Sequence, residues 1–464
     1  MYQSPRGTQD IVPEDAAAWR YVERHAVDAA RRFGYGEIRT PTFEDASLFL
    51  RGVGEGTDIV DKEIYRFQDK GGSDLALRPE GTASIVRAYL QHGMASRPQP
   101  VKLYSLITVY RYDRPQAGRY REFRQFDIES IGEEDALADA EVIAVLWRFL
   151  ESVGLRDLTV LLNSIGDPIC RPEYVRALAA YYEPHTDAIC ADDRRRLESN
   201  PLRLLDCKLP GCQPIIAGAP RITDYLCAPC ERHFAQLKGY LEGMDIPYEL
   251  TPRLVRGLDY YTRTVFEVVP PTVGAQATIG GGGRYDGLAE LLGGKHTPAV
   301  GFASGMERII LNLREQGVAL PDAEVPRVFL APVGKDEAGD AAKARAITLA
   351  DRLRSRDVAT QIGMGERSMK SRLRQASASG ARLVVIIGEE ELREEHATVK
   401  DLQNGEQGRV PFDRLVEYLA NDALPNATLT DAAGKAALAE AASGNAASTD
   451  VAPDPVASAQ MASS

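Results

Sequence analysis

With 464 residues the chain is too long for a single hydrophobic core, and two to four folding units are expected. Its 44% hydrophobic and 26% charged residues are ordinary for a globular protein, and without an apolar run near the ~20 residues that cross a bilayer, a helical membrane protein is excluded. A net charge of −12 excludes a general nucleic-acid binder with a basic stripe along its length, while leaving room for a local basic face.

The N-terminal residues Met1 to Gly7 lack the basic-then-apolar pattern of a signal peptide, and the six cysteines are not spread as an extracellular framework. A reducing cytoplasm is therefore the expected location. Pro13 followed by Trp19, Val22, Ala26, Ala30 and Phe33 predicts a helix with one apolar face, ended by Gly34-Tyr35-Gly36. The next segment, Glu37 to Glu44, alternates and carries Pro41, which cannot donate to a ladder, so an edge or interface strand is predicted. Pro79-Glu80-Gly81-Thr82 is turn chemistry leading into a helical pattern from Ala83 to Leu90.

A long hairpin follows, with strands from Leu103 to Tyr112 and from Glu122 to Ile131. On the returning strand a period of two puts Phe123, Gln125, Asp127 and Glu129 on one face and Phe126 and Ile128 on the other. Such a row is either an exposed sheet surface or the floor of a polar pocket. Arg111, Arg119, Arg121 and Arg124 crowd the same hairpin, which favours a site handling phosphate and a zwitterion together.

Between about Arg171 and Pro252 lies an insert carrying Cys207, Cys212, Cys227, Cys230 and His233. The spacing C-x4-C-x14-C-x2-C is close to a zinc ribbon, so these four thiols are candidates for one structural zinc; packed or surface thiols are the other reading. Arg194-Arg195-Arg196 and Arg203 are candidate phosphate contacts or a solvated face.

Two later stretches, Arg256-Gly257-Leu258-Asp259-Tyr260-Tyr261 and Gly280-Gly281-Gly282-Gly283-Arg284-Tyr285-Asp286, combine guanidinium, phenol and flexible backbone as if to hold a small charged ligand. The glycine run lacks the spaced GxGxxG of a dinucleotide fingerprint, and close backbone approach to a ligand is the reading adopted. Gly301 to Leu311 predicts a strand passing into a helix, with Arg308 in the first turn, where the helix dipole disfavours a cation and another partner is needed. After a linker at Leu320 to Pro326, strands at Val328–Pro332, Val358–Ile362 and Leu383–Ile387 alternate with helices from about Asp336 and Ser368, an α/β domain in which Lys370, Arg372 and Arg374 are candidate backbone contacts to nucleic acid. From Asn421 the chain is rich in Ala, Ser, Asn and Thr, with five acids against Lys435, and a disordered tail over 421–464 is expected.

Arg-Gly-Leu-Asp-Tyr-Tyr followed about twenty residues later by Gly-Gly-Arg-Tyr-Asp resembles the histidine-recognition signature of histidyl-tRNA synthetases. The first helix with its proline-bearing strand resembles motif 1 of class II synthetases, the hairpin motif 2, and the Arg308 segment motif 3. The C-terminal α/β pattern resembles the anticodon-binding domain shared by the histidyl, prolyl, threonyl and glycyl enzymes. The resemblance implies an α+β fold: a class II antiparallel sheet with flanking helices over 1–325, an inserted domain over about 171–252, and an anticodon-binding domain over 326–420, assembled as a homodimer.

It also implies ATP-dependent ligation of L-histidine to tRNA(His) through a histidyl-adenylate, with Mg²⁺ arriving on the ATP. By resemblance, Glu80, Thr82 and Gln125 hold the ammonium of histidine, Glu129 and Tyr261 its imidazole nitrogens, and Tyr260 and Tyr285 line the pocket. Arg256 and Arg111 stabilise charge at the α-phosphate, Arg119 reaches the distal phosphates, and Arg308 and Phe123 sandwich the adenine. The insert would clasp the tRNA acceptor arm. The alternative is the inactive synthetase paralogue that serves as a regulatory subunit of ATP phosphoribosyltransferase; it predicts decayed motif arginines and no anticodon-binding domain, whereas Arg111, Arg119, Arg256 and Arg308 are present and the C-terminal pattern is full length.

Overall fold

The computed structural model describes residues 2–53, 57, 59–116, 118–271 and 278–421, so the tail expected over 421–464 lies outside the described residues except for Asn421. The chain divides into two compact units, Met1–Ala323 and Glu324–Ser464.

Alternation along Glu122–Ile131 organises the first unit. Its Phe126 and Ile128 join Phe266 and Phe302 in a fully apolar layer, onto which the helices Pro13–Arg32 and Ala136–Ser152 pack with Val22, Ala26, Val142 and Leu146. The other face of the same strand presents Gln125, Asp127 and Glu129, all buried. Among the described residues the sheet has eight strands, in the order Gly36–Glu37, Val101–Tyr110, Glu122–Ile131, Ala299–Gly305, Gly280–Arg284, Thr262–Val269, Thr159–Ser164 and Tyr248–Leu250. The inner pairings are antiparallel and the short strand at each edge is parallel to its neighbour.

The proline-bearing segment after the first helix does not form one strand. Gly36–Glu37 joins the large sheet, Phe43–Asp45 joins a separate three-stranded sheet, and Pro41 sits between them, as its missing amide requires. The glycine run is not a flexible loop. Gly280–Arg284 is a buried strand between Thr262–Val269 and Ala299–Gly305, and a Cβ on Gly282 would stand 1.9 Å from the Gly301 carbonyl oxygen. The absence of side chains lets neighbouring backbones close to a distance no other residue would tolerate.

The second unit carries a five-stranded sheet in the order Thr360–Ile362, Val328–Pro332, Leu383–Ile387, His396–Asp401 and Gln407–Pro411, parallel over the first three strands and antiparallel thereafter. Ser368 caps the helix Met369–Ala378 through its side chain. Within that helix Arg372 is buried at 1% exposure, donating to the carbonyls of Pro332 (3.1 Å) and Met364 (2.9 Å). It braces the domain from inside and is not a surface contact for nucleic acid.

Candidate active site

Turn chemistry and helix geometry fix the first wall. Both oxygens of Glu80 accept helix N-terminal amides, Oε2 from Thr82 at 2.7 Å and Oε1 from Ala83 at 2.8 Å, so this carboxylate caps the helix Thr82–Gln91 while facing the cavity. The Thr82 hydroxyl donates to Oε1 of Glu129 at 2.6 Å, and the Tyr285 hydroxyl donates to Oε2 of the same carboxylate. Burial raises Glu129 well above the usual carboxylate range, opposed by these two hydrogen bonds, and raises Asp127 in the same way beside Glu80. Gly301 lies opposite Glu129 in the sheet, and a Cβ there would stand 1.8 Å from Glu129 Oε2.

Glu80, Thr82 and Tyr285 border a cavity of about 430 Å³ that is also lined by Arg111, Arg119, Phe123, Gln125, Arg256, Tyr260, Tyr261 and Arg308. Of the residues expected at the histidine and ATP sites, Glu129 alone is not on that lining; it sits directly behind Thr82 and Tyr285. The Tyr260 ring meets Tyr285 edge-on at 5.6 Å and Tyr261 at 4.8 Å, an aromatic pocket around the polar floor.

Cations occupy the other side. Arg111 donates from Nε to the Pro79 carbonyl at 2.8 Å and lies 5.5 Å from the Phe123 ring centroid. Arg256 pairs with Glu267, whose other oxygen accepts from Thr278 Oγ1 at 2.6 Å. Arg119 pairs with Asp113 and approaches Glu63 at 3.7 Å. Arg308 donates to the carbonyls of Gly118 (3.0 Å) and Thr278 (2.8 Å), the partners its position in a helix's first turn required. Not every expected cation turns inward. Arg121 stacks on Tyr112 at 3.9 Å and Arg124 on Trp19 at 5.1 Å.

Arg284 also departs from expectation. It alternates away from Tyr285 into the core, fully buried, and pairs with Asp139 and with Asp286 at 3.1 Å. His233 lies 3.5 Å from Asp139 and belongs to neither cysteine set. Burial alone would raise Asp139, but Arg284 and His233 together outweigh it and bring the carboxyl down to about 2.

Two acids went unnoticed in the sequence. Glu267 is the single charge in Val265-Phe266-Glu267-Val268-Val269, which is the signal that could have found it. Glu307 lines the cavity and accepts the Arg124 amide at 3.0 and 3.1 Å, and burial pushes it up to about 7.

A model of the histidyl-tRNA synthetase family matches residues 7–171 and 216–309. The chain belongs to that family. An anticodon-binding domain model matches residues 327–422, the second unit. Among curated relatives, a histidine–tRNA ligase of Dehalococcoides mccartyi is 53% identical over 90% of this chain and 98% of its own length. One from Pelotomaculum thermopropionicum is 49% identical over 89% of this chain and 96% of its own. Among solved structures, apo histidyl-tRNA synthetase of S. aureus superposes with a TM-score of 0.76 at 39% identity, covering 91% of this chain and all of the other. Like those relatives, this synthetase-family chain is an α+β class II protein with an anticodon-binding domain, and the regulatory paralogue is not favoured.

The four cysteines expected to share one zinc do not come together. Cys207 and Cys212 lie with Cys190 and Asp193, whereas Cys227 and Cys230 lie with Asp167 and Cys170. Sequence spacing saw the near neighbours and missed the pairing, because Cys170 and Cys190 stand far upstream of the ribbon-like run.

Proposed function

We infer that this class II histidyl-tRNA synthetase ligates L-histidine to tRNA(His) in two steps that the cavity is shaped to align. The observation that carries the reading is one buried carboxylate, Glu129, held on both oxygens by Thr82 and Tyr285, which themselves line a single cavity walled on its other side by Arg111, Arg256 and Arg119. The anionic side suits the ammonium and imidazole of histidine, and the cationic side suits the phosphates of ATP.

In this reading Glu80, Thr82 and Gln125 bind the ammonium, Glu129 and Tyr261 the imidazole, and Tyr260 and Tyr285 close around the ring. The histidine carboxylate is already ionised at neutral pH and needs no general base. Its oxygen bonds to the α-phosphorus, the bond to the bridging oxygen breaks, and pyrophosphate leaves. Arg256 and Arg111 stabilise the charge that builds on the α-phosphate oxygens, Arg119 holds the distal phosphates with the Mg²⁺ that arrives on ATP, and Arg308 with Phe123 brackets the adenine. A terminal ribose hydroxyl of the tRNA then attacks the acyl carbon and AMP leaves. Paired buried polar groups reject amino acids lacking matching nitrogens by ~10⁴ or more, so no editing domain is needed. The anticodon-binding unit is the proposed tRNA contact, and the functional form is proposed to be a cytoplasmic homodimer. No described helix is long and apolar enough to cross a membrane.

Histidine-dependent ATP–pyrophosphate exchange tests this directly. Exchange with histidine alone among the amino acids, reduced ~10²-fold or more by Arg256→Ala, is the expected result. No exchange with any amino acid would overturn the reading.

A further inference from the structure

We propose that the segment between the Thr159–Ser164 and Tyr248–Leu250 strands holds two structural zinc ions, one at Asp167, Cys170, Cys227 and Cys230 and the other at Cys190, Asp193, Cys207 and Cys212. In each set the four ligand atoms lie within 4.8 Å of one another. A tetrahedral site with Zn–S bonds of ~2.3 Å and a Zn–O bond of ~2.0 Å has S···S edges of about 3.8 Å and S···O edges of about 3.5 Å. In the first set the Cys170 and Cys230 sulfurs are 3.9 Å apart, Cys170 Sγ is 3.5 Å from Asp167 Oδ1, and Cys227 Sγ is 3.9 Å from both Asp167 oxygens. In the second, the Cys190 and Cys207 sulfurs are 4.0 Å apart.

Carboxylate geometry supports both sets. Asp193 is 1% exposed; its Oδ1 accepts from Arg196 at 3.2 Å, while its Oδ2 has no hydrogen-bond partner. The three thiols beside it are only weak donors, and a cation shared with them would complete this oxygen better. Asp167 is oriented by the amides of Ile169 (3.0 Å) and Cys170 (3.2 Å) and approached by Arg263 at 3.8 Å, a cation that offsets the surplus negative charge of three thiolates and a carboxylate around one divalent ion.

Disulfides account for less. Each set has three sulfurs, so one bond would strand a thiol and leave the carboxylate unexplained. The close approach of the ligand atoms also leaves no room for an iron–sulfur cluster between them, and three thiolates with one oxygen in a tetrahedron suit zinc. The ligands come as short knuckles, D-x2-C with C-x2-C in the first set and C-x2-D with C-x4-C in the second. The second set lies wholly inside 172–215, the stretch that the family model skips, where the chain runs through short helical turns such as Pro201–Asp206 and Pro210–Cys212. Such a segment gains most from a staple. The first set abuts the active site: Arg171, next to Cys170, donates to the Tyr261 carbonyl at 2.7 Å.

The test is metal analysis of the full chain, purified under reducing conditions without chelator. Two zinc ions per chain are expected, falling to one in Cys170→Ser/Cys230→Ser and to one in Cys190→Ser/Cys212→Ser. A second readout needs no variant: the cysteines of the native protein should resist iodoacetamide until a chelator is added, and Co²⁺ in place of zinc should show the visible bands of a tetrahedral thiolate site. Less than half a zinc per chain, even after anaerobic exposure to excess Zn²⁺, would overturn the proposal. So would stoichiometric iron, or Cys170–Cys230 or Cys190–Cys207 disulfides in the freshly isolated protein. None of these measurements depends on aminoacylation.

Discussion

The Tyr285 hydroxyl donates to Oε2 of Glu129 while Thr82 donates to Oε1 at 2.6 Å, so this buried carboxylate behind the pocket wall is held on both sides by residues from distant parts of the chain. Tyr285→Phe strips one donor from a buried acceptor, at a cost of roughly 1–3 kcal/mol. The expected outcome is a roughly 5- to 150-fold rise in KM for histidine in pyrophosphate exchange, with KM for ATP unchanged. An unaltered histidine KM would remove Glu129 from substrate recognition.

Glu267 anchors Arg256, and Thr278 in turn orients Glu267. Replacing Glu267 with Gln keeps the shape and removes the charge. Arg256 should then bind ATP without being aligned on the α-phosphate, so kcat falls by about tenfold while KM for ATP does not rise. Steady-state exchange kinetics would show this split; a rise in KM with kcat intact would assign Glu267 to binding instead.

Burial lifts Glu307 to about 7 from an ordinary value of 4.5, so between those pH values the folded protein carries a proton that the unfolded chain has lost. Stability from this site is therefore full below about 4.5 and declines as pH rises towards 7. The shift corresponds to about 3 kcal/mol above pH 7. Glu307→Gln should match the parent near pH 4.5 and exceed it by up to about 3 kcal/mol at pH 8 in urea unfolding. Parallel pH profiles for the two proteins would contradict it.

Arg284 and Asp139 form a wholly buried ion pair beneath the active-site sheet. Arg284→Ala leaves Asp139 uncompensated apart from His233, and a loss of about 3–5 kcal/mol is expected. The double change Arg284→Met, Asp139→Leu should recover much of it, because the attraction between buried charges does little more than offset their desolvation. Comparing urea midpoints of the two proteins decides the point; equal losses in both would mean that packing, not charge, governs the site.

Much of the site was legible before the fold was known, for physical reasons that differ from residue to residue. Phe123, Gln125 and Glu129 were readable because a strand's period of two sorts side chains with no tertiary information. Arg256, Tyr261 and Arg308 were readable through the resemblance. Arg284 was misread: alternation sends it away from its neighbour Tyr285, but only the strand pairing reveals which of the two faces the cavity. Arg372 looked like part of a basic helix face because its carbonyl partners come from the end of one strand and the loop after another. The cysteine sets were hidden for a related reason, since their knuckles are separated by long stretches of chain and closed only by the fold.

The strand Gly280–Gly283 has one more consequence, for variation among future isolates. A Cβ at each of its four positions would stand 2.9 Å or less from a neighbouring atom, among them Ser304 Oγ, the Phe266 carbonyl oxygen, the Gly301 carbonyl oxygen and the Thr264 carbonyl oxygen. At Gly281, Gly282 and Gly283 the neighbour is backbone and cannot swing aside, whereas at Gly280 it is the Ser304 hydroxyl, so three adjacent codons resist replacement most strongly although none of them encodes a functional group. In a saturation library selected for growth, Gly281, Gly282 and Gly283 should stand out as a block of intolerance. A compound that contacts the strand where it borders the cavity, at Gly280 and Gly281, would find few mutational routes to resistance at Gly281.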